Sequence, residues 1–278
     1  MKRLFDQLST KVSAVTTKKY STSFSLAIHC VNKKIRPAIY GIYGFVRLAD
    51  EIVDSFEKYD QEYLLQKYKE DTYEAIESGI SLNPILNSFQ KVAHQYHIEK
   101  SEIDQFLHSM EMDLHKVVYK KENYNEYILG SAEVVGLMCL RVFTNGCPHR
   151  FKELKYYSMK LGAAFQKVNF LRDMKDDYHV LGRIYFPNVE MGQFTHEAKK
   201  EIEADIQKDF NEAIIGIRKL PKSCRGGVYL AYIYYLSLFN KIKAMPPNRI
   251  LSKRIRIHNG RKFGILLNTF VQNKMNLI

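Results

Sequence analysis

The sequence contains no tryptophan, no Cys-x-x-Cys pair and no apolar run long enough to cross a membrane. Its four cysteines match no zinc-binding spacing, and we interpret them as free thiols in a reducing compartment. They are Cys30, Cys139, Cys147 and Cys224. The uncharged stretch from Gly226 to Phe239 is shorter than the ~20 residues that a spanning helix needs, and the first residues lack the apolar core of a signal peptide. These absences predict a cytoplasmic protein that is at most peripheral to a membrane.

Acidic residues are missing from the last quarter of the chain. Residues 213–278 contain no Asp or Glu but thirteen of the 42 Lys and Arg, which leaves 29 basic against 30 acidic residues elsewhere. The net charge of +12 therefore comes from this segment. Such a tail is compatible with nucleic acid, an anionic membrane surface or a diphosphate as partner, and equally with a solvated basic face.

The chain also lacks a fixed internal repeat, a low-complexity linker and an alternating strand–helix pattern. Apolar residues instead recur at helical spacing along successive segments. The sequence therefore predicts one all-α domain over residues 1–278, with a long helix at 123–143, a central helix at 151–177 and a turn at 221–227. The 19 Tyr and 16 Phe indicate either a large core or a long apolar cavity.

The central helix carries a polar stripe in an apolar setting. Gln166, Asn169, Asp173 and Asp177 step by three, four and four residues, which places them on one helix face. Two carboxylates one turn apart repel each other unless a cation lies between them. A donor set made only of oxygen suits Mg²⁺, which takes one or two carboxylates together with substrate phosphates.

A second helix repeats this arrangement. Asp50 and Asp54 are one turn apart, and Arg47 and Tyr43 precede them on the same side. Arg172 stands beside the other carboxylate pair, so each pair has a neighbouring cation. Two such motifs on apolar helices indicate a site for a magnesium-bound diphosphate.

Two smaller features have alternative interpretations. The Ser/Thr cluster at residues 21–25 favours a helix cap near Ser23, and its hydroxyls are also suited to phosphate oxygens. Gly41 and Gly44, one turn apart, indicate close approach of another helix or of a ligand.

Three segments together resemble the squalene/phytoene synthase family. They read YGFVRLADEIVD at residues 43–54, QKVNFLRDMKDD at 166–177 and GRIYFP at 182–187. The resemblance extends from about residue 20 to residue 262 and is strongest to bacterial phytoene synthases. The chain departs from the family at Glu133, where glycine is common, and at Lys167, where an apolar residue is common.

The resemblance implies a single-domain, all-helical isoprenoid synthase with a deep central channel. It implies head-to-head condensation of two geranylgeranyl diphosphates through a cyclopropyl diphosphate to phytoene, the first committed step of carotenoid biosynthesis. Mg²⁺, with Mn²⁺ as an alternative, would be the cofactor, and a phytoene synthase would not need NADPH. The partners implied are the prenyl diphosphate substrate and an anionic membrane surface at residues 213–278, with no nucleic acid.

The resemblance also implies roles for individual residues. The metal ligands would be Asp50, Asp54, Asp173 and Asp177. Diphosphate oxygens would be bound by Ser21, Arg47, Arg172 and Arg254. Gln166 and Asn169 would lie near the reacting carbons or the metal. The aromatic channel wall near the cation would comprise Phe24, Tyr43, Tyr127, Tyr185 and Tyr235. Of these residues, the catalytic group would be Tyr43, Arg47, Tyr127, Gln166, Asn169, Arg172 and Tyr235.

Three alternatives follow from the same residues. A synthase of squalene, dehydrosqualene or presqualene diphosphate, which would use farnesyl diphosphate, shares every motif above. A non-catalytic family member that acts as an assembly factor would tend to lose its aspartates, and all four are present here. A helical nucleic-acid-binding protein would explain the basic tail but not the two aspartate motifs.

Overall fold

The computed structural model describes residues 2–115, 121–177, 185–187, 189, 194–257 and 264. These residues contain α-helices, one π-helical turn and connecting turns but no β-strand, which confirms the predicted all-α class. Within the described ranges, no helix is both long enough and apolar enough to cross a membrane. The helices are α1 (Lys2–Tyr20), α2 (Thr22–His29), α3 (Arg36–Ser55), α4 (Gln61–Ser78), α5 (Pro84–Tyr96), α6 (Lys100–Leu114), α7 (Lys121–Ile128), α8 (Val134–Phe143), α9 (Pro148–Asp176), α10 (His196–Lys219), α11 (Lys222–Lys243) and α12 (Pro247–Ser252).

Local capping chemistry sets several helix ends. The Asn83 side chain accepts from the backbone N–H of Ile85 at 3.0 Å, and Pro84 occupies the first turn of α5. Helix α4 ends at Gly79, whose φ of +70° lies in the left-handed region that favours glycine. These signals can be read from the sequence.

The predicted turn at 221–227 is wrong, because α11 already begins at Lys222. Gly226 and Gly227 lie inside this helix. A Cβ atom at Gly227 would lie 2.4 Å from Val31 Cγ1 and 2.6 Å from the Ala27 carbonyl oxygen. Gly227 therefore allows α11 to pack closely on α2 and the residues that follow it, and the pair does not mark a chain reversal.

Helix packing also explains the glycines of α3. A Cβ atom at Gly44 would lie 3.1 Å from Ser13 Oγ of α1, and one at Gly41 would lie 3.0 Å from Val92 Cγ2 of α5. The close approach predicted at these positions is therefore made by neighbouring helices.

The predicted helix at 123–143 contains a π-helical turn. Leu129–Glu133 joins α7 to α8 without a break in the helical path. A Cβ atom at Gly162 of α9 would lie 2.6 Å from the Ala132 carbonyl oxygen in this turn. The π turn thus sits where α9 approaches most closely, and π turns are frequent at functional sites.

The core consists of two large apolar clusters. One is centred on α3, α5 and α6, where the Phe45 and Phe89 rings stack at 3.9 Å. The other lies between α9, α10 and α11 and includes the buried Phe210 and Phe239. The functional cavity described below lies where helices of both clusters meet.

The back of α9 carries a buried ion cluster. Lys167 Nζ lies 2.5 Å from Asp205 Oδ2 and 2.6 Å from Asp209 Oδ2, and Lys160 Nζ lies 3.0 Å from Asp209 Oδ1. Lys167 is 8% exposed. Lys167 replaces the apolar residue common in the family, and its buried charge is balanced by two acids of α10. These ion pairs connect α10 to α9.

We expect Asp209→Ala to lower the free energy of unfolding by about 3–5 kcal/mol, because it leaves Lys160 and Lys167 short of a buried counter-charge. Asp205 has a side chain that is 54% exposed, so Asp205→Ala is the matched control and should cost less than about 1 kcal/mol. Denaturant unfolding of both variants measures the difference. Equal losses would show that Asp209 does not anchor the cluster.

Candidate active site

An elongated cavity of about 370 Å³ runs between α2, α3, α8, α9, α10 and α11. Its polarity changes along each helix. On α3 the wall passes from Ile39 to Asp50, and on α9 it passes from Leu154 to Asn169. One end is therefore apolar and the other carries carboxylate, amide and guanidinium groups. The residues of the 123–143 helix that line this cavity include Tyr127, Ala132, Val135, Gly136, Leu140 and Phe143.

The polar end begins with α3. Arg47 Nη1 donates to Asp50 Oδ2 at 2.5 Å, and Nη2 donates to Glu51. The Arg47 guanidinium also lies 4.3 Å from the centre of the Tyr20 ring. Its Nε is buried and finds no acceptor among the described residues. Arg47 therefore keeps one donor that a ligand oxygen at this end of the cavity would satisfy.

Asp50 is held in an unfavourable electrostatic environment. Burial, and then the carboxylates of Asp54 and Asp113, raise the pKa of Asp50 to about 7 despite the nearby Arg47. Carboxylates grouped around Asp50 in this way fit a bound cation, and their oxygen donors suit Mg²⁺. Among the described residues no three carboxylate, imidazole or thiol groups converge into a complete ligand set.

The second acidic motif lies at the end of α9. Arg172 donates to both oxygens of Asp173, at 2.9 and 2.5 Å. Arg254 Nε lies 2.7 Å from Asp173 Oδ1. Burial opposes the charge of Arg172, but the hydrogen bond to Asp173 and the charges of Asp173 and neighbouring tyrosines together outweigh burial and raise the pKa of Arg172. Asp173 is thus bound by two cations from different parts of the chain.

A short extended segment positions Arg254. The chain leaves α12 and runs along α9, where the Ile255 N–H donates to the Arg172 carbonyl oxygen at 3.4 Å. The side chains of Ile255 and Ile257 are buried in the cluster between α9 and α11. The structure therefore places Arg254 beside Asp173 at the end of α9.

Aromatic and amide groups connect the two motifs. The Phe24 ring lies 5.9 Å from that of Tyr43 and 6.1 Å from that of Tyr235. The Tyr235 hydroxyl donates to Asn169 Oδ1 at 3.2 Å, and Asn169 Nδ2 donates to Gln166 Oε1 at 3.3 Å. Burial raises the pKa of Tyr43 to about 12, so its hydroxyl stays protonated at neutral pH.

Ser21 caps α2, and its Oγ accepts from the Phe24 N–H at 3.2 Å. The cap predicted for this Ser/Thr cluster is confirmed. It lies at Ser21, two residues before Ser23, and α2 starts at Thr22. The same hydroxyl forms a hydrogen bond with the Tyr43 side chain. Ser21 is therefore close to the polar end of the cavity while it serves as a cap.

Sequence reasoning missed one acid of this site. The buried Asp113 of α6 accepts from the Tyr127 hydroxyl at 2.6 Å and from the Tyr185 hydroxyl at 3.3 Å. A sequence signal does exist, because Ile103, Phe106, Met110 and Asp113 step by three, four and three residues. An acid thus ends the buried stripe of α6.

The predicted site residues divide into two groups. Those on the cavity wall are Phe24, Tyr43, Arg47, Asp50, Tyr127, Gln166, Asn169 and Tyr235. Those off this wall are Ser21, Asp54, Arg172, Asp173, Asp177, Tyr185 and Arg254. Tyr185 differs most from expectation: it stacks on Phe170 at 4.1 Å behind Tyr127. Gly182, Arg183 and Ile184 of the third motif lie outside the described residues.

Comparison with known proteins gives a consistent family. The family described as squalene/phytoene synthase matches residues 17–261. The 4,4'-diapophytoene synthase of Staphylococcus haemolyticus is 28% identical over 69% of this chain and 67% of its own length. Phytoene synthase 1 of Solanum lycopersicum, a chloroplastic protein, is 26% identical over 88% of this chain and 63% of its own length. The chain thus spans about two thirds of the length of these two relatives.

Other similar proteins are named for a different product. The presqualene diphosphate synthase of Zymomonas mobilis is 26% identical over 90% of this chain and 81% of its own length. The crystal structure of a dehydrosqualene synthase in complex with ligand superimposes with a TM-score of 0.81 at 19% identity, and covers 97% of this chain and 98% of that one. The shared fold therefore extends over nearly the whole chain.

Proposed function

The chain belongs to the squalene/phytoene synthase family, whose members are prenyltransferases, and from this we propose that it condenses two prenyl diphosphates head to head. Geranylgeranyl diphosphate is the substrate that we propose first, with phytoene as product. The observation that carries the proposal is the cavity itself, which joins an acidic, cation-flanked end to a long apolar interior. A prenyl diphosphate has this same division between charge and hydrocarbon.

At the polar end, we assign the diphosphates to cationic and hydroxyl donors. Arg47 offers its unpaired Nε, and Arg172, Arg254 and Ser21 lie beside the acidic motifs. Asp50, Asp54, Asp173 and Asp177 would hold Mg²⁺, which would neutralise charge on the departing diphosphate when bound. In a cavity that excludes water, these groups stabilise developing charge more strongly than they would in solvent.

Between the polar and the apolar end of the cavity, aromatic side chains would face the carbocation that forms when the diphosphate departs. Ionisation of one allylic diphosphate leaves a cation that the double bond of the second molecule attacks, and loss of a proton gives a cyclopropyl diphosphate. The faces of Phe24, Tyr43 and Tyr235 stabilise a passing cation by ~0.5–2 kcal/mol each. Tyr127, Gln166 and Asn169 supply polar groups on the same wall.

A second candidate uses farnesyl diphosphate and forms a product of squalene, dehydrosqualene or presqualene diphosphate type. The names of some sequence relatives favour it, among them the presqualene diphosphate synthase of Zymomonas mobilis at 26% identity. Both candidates use the same acidic motifs, and they differ in the length of the hydrocarbon chain. Reduction by NADPH belongs only to the squalene branch.

A product assay tests the proposal. Purified protein with Mg²⁺ receives geranylgeranyl or farnesyl diphosphate, with and without NADPH, and the extracted products are identified. We expect phytoene from geranylgeranyl diphosphate without NADPH. A C30 product would establish the second candidate, and unconsumed diphosphate in every reaction would overturn the prenyltransferase proposal.

The basic segment at residues 213–278 would assist association with an anionic membrane surface. In the described part, some of its cations are already engaged: Arg254 pairs with Asp173, and Lys241 donates to the Arg256 carbonyl oxygen at 2.7 Å. Others, such as Lys222 and Lys253, are exposed. Co-sedimentation with liposomes that responds neither to lipid charge nor to salt would contradict this role.

A further inference from the structure

Helix α1 turns its apolar residues towards solvent. Three of its large apolar side chains are exposed, and three small hydroxyl residues face the protein instead. The exposed residues are Leu4 (71%), Leu8 (53%) and Val15 (56%), and the fully buried ones are Ser9, Ser13 and Thr17. This is the reverse of a surface helix that packs its apolar stripe on a core.

The buried hydroxyl face has a structural role. Ser9 Oγ donates to the Phe5 carbonyl oxygen at 2.9 Å and accepts from Asn87 Nδ2 at 3.0 Å. Ser13 lies against Gly44 of α3, where a larger side chain would not fit. The helix is therefore fixed with its small residues inward, and its leucines stay outside.

The outward face of α1 combines apolar and positive groups. We use the term "α1 face" for its stripe of Leu4, Leu8, Lys11, Val15 and Lys18. All basic residues of the helix are exposed: Lys2, Arg3, Lys11, Lys18 and Lys19. Its one acid, Asp6, is turned aside, because the side chain is 17% exposed and accepts from Asn87 Nδ2 at 3.1 Å.

The apolar surface continues onto the turn before α5. Ile80 is 43% exposed and Leu82 is 94% exposed. The Ser81 N–H donates to Asn87 Oδ1 at 3.3 Å, and the same Asn87 side chain binds Asp6. The turn therefore lies beside the first half of α1; its two exposed side chains and the α1 face are together termed the apolar patch.

We propose that the α1 face and the turn at residues 80–82 dock the protein on an anionic lipid bilayer. A helix with exposed leucines and a lysine border lies in the plane of the interface, where acyl chains receive the apolar residues and anionic headgroups meet the cations. Helix α1 leads directly into α2, whose Phe24 lines the cavity.

Charge argues against a second copy of the chain as the partner that covers the α1 face. The α1 face steps by four, three, four and three residues, which is the spacing of a coiled-coil seam. Lys11 and Lys18 occupy alternate positions of that seam. In a two-fold symmetric contact both copies would bring the same cations to the interface, whereas anionic lipid supplies the opposite charge.

Vesicle flotation of the full-length protein tests this surface. With equal phosphatidylcholine and phosphatidylglycerol we expect binding that weakens between about 0.1 and 0.5 M salt. The triple variant Leu4→Gln, Leu8→Gln, Leu82→Gln should reduce the partition coefficient about tenfold or more. The matched control, Tyr156→Gln with Ile215→Gln, removes side chains that are 51% and 42% exposed on other helices and should bind as the parent does.

Three results would overturn the proposal: no binding by the parent protein, equal binding by the triple variant, or an equal loss in the control. A parent dimer that the triple variant converts to a monomer in gel filtration would assign the patch to a second copy. Thermal melting shows whether the variants are folded. Binding is measured without substrate, so failure here is distinct from failure of the product assay.

Discussion

The Asp50→Asn protein is expected to lose turnover by about a thousandfold or more, and to melt at a higher temperature than the parent when Mg²⁺ is absent. The loss follows from the proposed role of this carboxylate as a ligand for the metal-bound diphosphate. The gain follows from electrostatics. Asn keeps the shape of the side chain but removes the charge that Asp54 and Asp113 oppose.

The sign of the stability effect depends on pH. The pKa of Asp50 is raised to about 7 from an ordinary value of 3.8, so the ionised carboxylate destabilises the metal-free fold above pH 7. This penalty disappears as the pH falls from about 7 towards 4. At pH 8 the variant should therefore melt higher, by about 2–4 °C for each kcal/mol of repulsion removed. The difference should shrink at pH 5.

Glu51→Gln is the matched control, because Glu51 is adjacent in sequence and also accepts from Arg47. If Asp50 acts only by holding Arg47, both variants should lose activity alike. If Asp50 binds the metal, Glu51→Gln should keep most of its turnover. Near-parent turnover in Asp50→Asn would remove Asp50 from the ligand set.

Helical periodicity was sufficient to predict much of this site. Gln166, Asn169 and Asp173 of α9 and the two aspartates of α3 could be placed on their helix faces from spacing alone, because an α-helix has a fixed geometry. Asp177, the fourth residue of the predicted stripe, directly follows the end of α9. Residues 123–143 could also be predicted as one helical path, since its apolar face recurs regularly. The π turn within it could not, because it depends on how closely Gly162 brings α9 to Ala132.

Contacts between distant segments account for what sequence reasoning missed. Gly226 and Gly227 resembled a turn, and only the position of α2 shows why they lie inside a helix. Lys167 resembled a departure from pattern, and its partners Asp205 and Asp209 are about forty residues away. The inverted packing of α1 also depends on its neighbours, because Ser13 is buried only where Gly44 receives it.

Replacement of Asp113 is the second change for which we expect a large loss of turnover. Asp113 receives the Tyr127 hydroxyl at 2.6 Å, the length of a charge-assisted hydrogen bond. Tyr127 in turn lines the same cavity as Gln166 and Asn169 of α9. We therefore regard Asp113 as a positioning residue that fixes where the Tyr127 hydroxyl lies, and a displacement of about 1 Å at such a group is enough to cost about a hundredfold in rate.

Asp113→Asn is expected to lower kcat by about 10- to 100-fold and to change KM for the prenyl diphosphate much less, because Asp113 acts here by positioning the Tyr127 hydroxyl. Tyr127→Phe should give a similar loss, and the double variant should be no worse than the more damaged single one, since both changes break the same contact. Tyr185→Phe, which removes the longer 3.3 Å bond to Asp113, is the control and should cost less than either. Additive losses in the double variant would mean that Asp113 and Tyr127 act independently. A fall in melting temperature that accounts for the whole loss of activity would reduce Asp113 to a structural residue, because a folded fraction that shrinks lowers kcat without altering the contact between these two side chains.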